Sequence, residues 1–150
     1  MPAEPLAQLP SSRMRVLGLD VGTKTIGLAV SDPLGITAQG LETLRRKNKR
    51  SDFDHLEKLI RQYQIGELVV GYPLAMGGGE GKQAEKMRGF AEELGRRFQL
   101  PVHLWDERLT SAQANRLLRE MEVSIERRRQ VVDRMAAVLI LQSWMDQRGR

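Results

Sequence analysis

The stretch Val16-Leu17-Gly18-Leu19-Asp20-Val21-Gly22-Thr23-Lys24-Thr25-Ile26-Gly27-Leu28-Ala29-Val30-Ser31-Asp32 reads as two apolar strands folded about a glycine turn. Val, Ile and Leu dominate both arms, and Gly22 supplies the backbone freedom that a tight turn requires. One residue breaks the pattern: Asp20, a carboxylate inside the first arm. An ionised acid in a half-buried strand is costly unless a cation or strong donors stand beside it. Two roles fit it, and the stretch alone does not choose between them. Asp20 either serves metal or substrate chemistry, or it receives backbone N–H bonds from the turn, as Asp before glycine often does.

Working outward, residues 1–13 hold three prolines without apolar periodicity, which predicts a disordered leader before a single domain over 14–150. Strands are expected at about 15–20, 25–31 and 36–44. The third leads into Arg45-Arg46-Lys47-Asn48-Lys49-Arg50, a basic block expected in an exposed loop. Ser51 with Asp54 predicts a helix start of capping-box type, followed by Leu56, Leu59, Ile60 and Tyr63 at helical spacing. Glu67 to Tyr72 reads as a strand buried on both faces. A glycine-rich loop follows, then an amphipathic helix marked by Ala84, Met87, Phe90, Ala91, Leu94 and Phe98. Pro101 to Trp105 predicts a fifth strand, Thr110 with Gln113 another capped helix, and 126–146 a last helix. Three strands followed by alternating helices and strands define an α/β domain: a five-stranded mixed sheet, antiparallel at first and then parallel, with right-handed crossovers.

Composition narrows the chemistry. The chain has 150 residues, 41% of them hydrophobic and 29% charged, enough for one compact core. It has no cysteine, which removes disulfides and thiolate zinc sites. His55 and His103 are too scattered for a His-rich centre, so a metal would be held by oxygen, pointing to Mg²⁺ or Mn²⁺. No apolar run reaches the length of a membrane span and no signal peptide is evident, so a cytoplasmic location is expected. A net charge of +5 and a pI near 10.0 suit an anionic partner such as nucleic acid.

Three acids stand where regular structure calls for apolar residues or a loop start. Asp20 lies in the first strand. Glu107 follows the fifth strand, at the carboxyl edge where open α/β sheets gather ligands. Asp133 lies in the last helix, on the stripe of Ala136, Ala137, Ile140 and Trp144. Strand alternation puts Asp20 on one face with Gly18 and Val16, and Gly27 with Ala29 on one face of the next strand. Such a small-residue surface lets the Ala136-Ala137 side of the helix pack closely, which would carry Asp133 towards Asp20. Acids so gathered repel unless a cation joins them, and two cations can bracket a phosphodiester under attack. The plainer alternatives are that Asp133 pairs with Arg129 one turn earlier and that Glu107 merely charges a helix start.

Other motifs carry less. Met76-Gly77-Gly78-Gly79-Glu80-Gly81-Lys82-Gln83 fails the P-loop pattern, with Met76 at the first glycine and Gln83 at the Ser/Thr position. It reads as a flexible connection, with contact between Lys82 and a phosphate as the sharper alternative. Arg127-Arg128-Arg129 and the Arg45 to Arg50 block are phosphate binders or solvated faces. His103 reads as structural. Trp105 is a core residue or a base-stacking one.

Taken together, Leu19-Asp20-Val21-Gly22-Thr23-Lys24 with Ile26-Gly27, Val70-Gly71-Tyr72-Pro73, Asp106-Glu107-Arg108-Leu109-Thr110, and Val132-Asp133 with Ala136-Ala137 and Ile140-Leu141-Gln142 resemble the YqgF/RuvX family. The resemblance runs from about residue 14 to 146. It implies an RNase H-like fold related to the Holliday-junction resolvase RuvC, with the first hairpin at the sheet centre and helices on both faces. It also implies a nuclease that matures the 5′ end of pre-16S ribosomal RNA, with Asp20, Glu107 and Asp133 as catalytic, metal-holding acids. Asp20 and Asp133 would hold Mg²⁺ or Mn²⁺, and Glu107 would be a ligand or orient water. Lys24, Arg108, Arg127, Arg128 and Arg129 would position phosphates of structured RNA, within a ribosomal precursor particle, or of branched DNA.

Two departures stand out. Gly71-Tyr72-Pro73 replaces the acid that RuvC-like relatives often carry after the fourth strand, which leaves Asp106 as an alternative to Glu107. Gly77 and Gly78 replace an acidic or amide residue after the methionine of the glycine loop. Competing readings are a two-fold dimeric resolvase of branched DNA and a non-catalytic ribosome-assembly or transcription-associated module. A sugar-kinase-like ATPase, suggested by Asp20-Val21-Gly22-Thr23, would need a second domain.

Overall fold

A computed structural model describes residues 14–72, 82–106 and 125–148, with the backbone alone described at 72, 82–84 and 125–134. In chain order the elements are β1 (Arg15–Val21), β2 (Thr25–Ser31), β3 (Ala38–Arg45), α1 (Lys49–Gln62), β4 (Ile65–Tyr72), α2 (Lys82–Phe98), β5 (Val102–Asp106) and α3 (Ile125–Arg148). The leader 1–13, the glycine loop 73–81 and the helix expected after Thr110 lie outside the described residues.

The strands form one mixed sheet in the order β3-β2-β1-β4-β5. β1–β2 and β2–β3 are antiparallel, whereas β1–β4 and β4–β5 are parallel. This is the expected sheet, with the first hairpin at its centre. Period-two alternation divides β1 and β2 between two cores. Leu17, Leu19, Ile26, Leu28 and Val30 pack with Phe53, Leu56, Ile60 and Leu94 of α1 and α2. Val16, Ala29 and Val69 pack on the other face with Ala137, Ile140, Leu141 and Met145 of α3. Among the described residues no helix is long and apolar enough to cross a membrane.

Two element starts differ from expectation for identifiable reasons. β3 begins at Ala38 rather than Ile36, because Asp32 Oδ1 takes the Ile36 and Thr37 N–H groups at 2.7 and 2.8 Å and diverts them from the ladder. α1 begins at Lys49 rather than after Ser51. Its N-cap is Asn48, whose side chain accepts the Ser51 N–H at 2.8 Å. Asp54, the expected capping partner, instead accepts a bond from Arg97 of α2 at 3.0 Å.

The Asp32 turn carries a pH signature. Its backbone donors, chiefly the Thr37 N–H, hold the carboxyl below the ordinary 3.8. The folded form therefore gains from the ionised carboxylate above 3.8, and the gain disappears as pH falls through the lowered value. Protection of the Ile36 and Thr37 amides, relative to their unfolded exchange rates, is expected to persist at pH 3.8 and to fall only below it. A midpoint at or above the ordinary value would contradict the turn.

α3 is tied to the edge strand by one amide. Gln142 Oε1 accepts the Ala38 N–H at 3.0 Å, and its Nε2 donates to the Ile36 carbonyl at 2.9 Å. Gln142→Leu keeps the volume and deletes both bonds. A loss of about 1–2 kcal/mol in urea-unfolding stability is expected.

Candidate active site

Asp20 sits one residue before the end of β1, half-buried, on the face covered by α3. Its cross-strand partner is Gly27. A Cβ built on Gly27 would lie 3.5 Å from the Asp20 Cβ and 3.6 Å from the Ala137 Cβ. Gly18, two residues earlier on the same face, is tighter still. A Cβ there would stand 2.9 Å from the Leu141 Cβ and 3.3 Å from the Ala137 carbonyl oxygen. The absence of a side chain at Gly18 is what lets α3 come down beside Asp20. On the other side, Leu19 pairs with Val70 and Gly71 with Trp105, so Gly71 lies one residue beyond the last β1–β4 pair. Asp20 thus occupies a floor of glycines, with Trp105 packed at its far end against the α3 core.

No hydrogen bond or ion pair holds the Asp20 carboxylate among the described residues. The turn does not supply one, since the Gly22 N–H is spent on the Thr25 carbonyl at 2.8 Å. The reading of Asp20 as an acceptor for the following turn therefore fails among these residues. A half-buried carboxylate without donors is electrostatically expensive. It has oxygen donors to offer a hard cation, in a chain without thiolates.

Asp133 lies in α3 four residues, one helical turn, before Ala137. The helix runs past β1 with Leu141 over Gly18 and Ala137 over Gly27, so position 133 follows towards the carboxyl end of β1. Its side chain, and those of Arg127, Arg128 and Arg129 in the first turns of α3, are outside the described residues, as are Glu107 and Arg108 entirely. Among the described residues no group of three metal-ligating side chains forms. Trp105 faces the α3 core, and strand alternation turns its neighbour Asp106 to the opposite face from Asp20.

Lys24 is exposed in the turn directly after Asp20. That turn is clamped by Arg46, a role hidden in the sequence by the run of basic residues around it. The Arg46 guanidinium donates to the Gly22 carbonyl at 2.6 Å, and the Arg46 backbone N–H donates to the Lys24 carbonyl at 2.8 Å. Behind it stands Asp52, only 3% exposed, with Oδ2 3.7 Å from Arg46 Nε and Oδ1 accepting the Lys47 N–H at 3.0 Å. The register of β2 and β3 pairs Thr25 with Arg45 and so brings Arg46 beside the hairpin tip. The basic block is therefore not wholly a solvated loop.

His103 is structural among the described contacts. Its Nε2 lies 2.7 Å from Glu67 Oε2, its ring stacks on Trp144 at 4.9 Å, and Glu67 also accepts from Arg148 at 2.6 Å. Together these fasten the last turns of α3 to β4 and β5.

A central antiparallel hairpin continued by parallel strands, with an acid on its glycine floor under a covering helix, defines the class: an α/β protein built on a five-stranded mixed sheet. The family model described as "RuvX: Holliday junction resolvase" matches residues 14–147, and the chain belongs to that family. It is 58% identical over 135 residues to a protein of Koribacter versatilis named "Putative pre-16S rRNA nuclease", covering 90% of this chain and 88% of the relative. A Moorella thermoacetica protein of the same name is 55% identical over 137 residues, covering 91% and 98%. Among solved structures, RuvC of T. thermophilus in complex with a Holliday junction substrate is similar with a TM-score of 0.45 and 18% identity, over 67% of this chain and 69% of that one. The family is one of phosphodiester-cleaving hydrolases acting on nucleic acid.

Proposed function

We propose that the chain is a divalent-metal-dependent endonuclease that processes the 5′ end of precursor 16S ribosomal RNA in the cytoplasm. The observation that carries this reading is the half-buried Asp20 carboxylate, without a donor among the described residues, on a floor of glycines beneath α3. The names borne by relatives at 58% and 55% identity supply the substrate. We read residues 14–150 as the nuclease domain and 1–13 as a leader.

Asp20 and Asp133 would hold Mg²⁺ or Mn²⁺, with Glu107 as a further ligand or as the group orienting water. When bound, the cations lower the pKa of a water and offset the charge that builds on the phosphodiester. The remaining tasks fall to the protein. Lys24, at the rim beside Asp20, and Arg108 with Arg127, Arg128 and Arg129 would hold non-bridging phosphate oxygens without reading sequence. α3 keeps water from beneath the Asp20 carboxylate. In hydrolysis a water oxygen bonds to phosphorus, the bond to one ester oxygen breaks, and that oxygen takes up a proton.

The test is incubation of the protein with precursor 16S RNA and Mg²⁺ or Mn²⁺, with and without chelator. Cleavage near the mature 5′ end that chelator abolishes supports the reading; an uncut precursor under both metals overturns it. The family description favours a second substrate, a four-way DNA junction. Symmetric cutting of a junction by a two-fold dimer, with the RNA left intact, would select that reading instead.

A further inference from the structure

On the opposite face of the sheet from Asp20, a cavity of about 500 Å³ lies against the same hairpin tip. Its apolar wall is Val21, Met87 and Phe90, and its charged lining includes Arg46, Lys47, Lys49 and Lys86. Two of these cations have carboxylate partners. Arg46 stands beside Asp52, and Lys49 Nζ lies 2.8 Å from Glu93 Oε2. Lys47 and Lys86 are exposed and have no carboxylate partner among the described residues.

A cavity within the usual range of ligand sites, apolar on one side and carrying two unneutralised ammonium groups on the other, suits a ligand with an apolar body and an anionic group. A nucleotide unit has that form, with a sugar and base to lay on Met87 and Phe90 and a phosphate for the lysines. The source of that nucleotide follows from position. Val21 lines the cavity and Asp20, its neighbour in β1, faces the other side, so only the Gly22–Lys24 turn separates the two. Consecutive Cα atoms are about 3.8 Å apart, which places both within reach of one nucleic-acid strand.

We propose that this cavity is a second nucleotide subsite, holding a unit of the substrate strand a short distance from the bond that is cut. The inference rests on the nuclease reading for its substrate, but its test does not depend on cleavage. A short fluorescein-labelled single-stranded RNA is titrated with Asp20→Asn protein over a range of salt concentrations. Lys47→Gln and Lys86→Gln are each expected to weaken binding and to lower the slope of log K against log salt by roughly 0.7. Lys58→Gln, a change to an exposed lysine of α1 outside the cavity lining, is expected to leave the slope in place. Equal effects at all three lysines would show general attraction and overturn the subsite, as would no effect at Lys47 and Lys86. Uridine monophosphate supplies the remaining arm. If Lys47→Gln and Lys86→Gln abolish its binding while the RNA slope stays unchanged, the cavity takes a free nucleotide and the proposal fails. An RNA that binds with these slopes but is never cut would overturn the nuclease reading and leave the subsite standing.

Discussion

Asp20→Asn is expected to lower RNA cleavage by more than about 100-fold, since removing even an outer partner of a metal ligand costs 10–100-fold. The same variant is expected to hold or raise its melting temperature. The two results belong together. In the wild type a carboxyl group is half-buried on a glycine floor with no donor among the described residues, an arrangement that opposes folding. The amide of Asn removes the acid at nearly constant volume, so the fold is relieved while the proposed chemistry is lost. Cleavage assays and thermal unfolding on one preparation decide the matter. A marked fall in melting temperature would mean that Asp20 has a structural partner, and unchanged cleavage would remove it from the active site.

Gly18→Ala is expected to be the most damaging single-methyl change in the core, costing about 1–3 kcal/mol in unfolding stability. The added Cβ would come within 2.9 Å of the Leu141 Cβ and 3.3 Å of the Ala137 carbonyl, and neither belongs to a flexible side-chain end. The helix itself has to move. Gly27→Ala is the control, because its Cβ meets Asp20 and Ala137 at 3.5 and 3.6 Å, ordinary contact distances. It is expected to be tolerated within about 0.5 kcal/mol. Because Asp133 is one turn from Ala137 on the same helix, Gly18→Ala should also lower cleavage well below what its residual folded fraction explains. Urea unfolding and activity corrected for folded protein test both halves, and equal stability of the two variants would refute the packing argument.

The sheet was legible because its patterning is strong. Val, Ile and Leu alternating with Gly and Ala across β1 and β2 announced two differently packed faces, and both cores formed as the alternation required. Asp20 stood out as the one acid in those strands before Ser31. What the sequence concealed depended on contacts between distant segments. Nothing local in Arg45 to Arg50 distinguishes Arg46 from its neighbours, yet among the described residues it is the Arg46 side chain that reaches both the Gly22 carbonyl and the buried Asp52. The start of α1 was misplaced because Ser51 and Asp54 mimic a cap, whereas Asn48 makes one. Glu107 and the side chain of Asp133 lie outside the described residues.

The hairpin tip at Gly22, with an acid on one side and lysines on the other, has a mechanical consequence. A polymer engaging both sides must fold over an edge only a few residues wide. Double helices resist this, since their persistence length is about 150 base pairs. Unpaired linkers bend freely, so a strand held on both sides, as proposed, would be a slack segment emerging from folded RNA rather than the stiff stem itself.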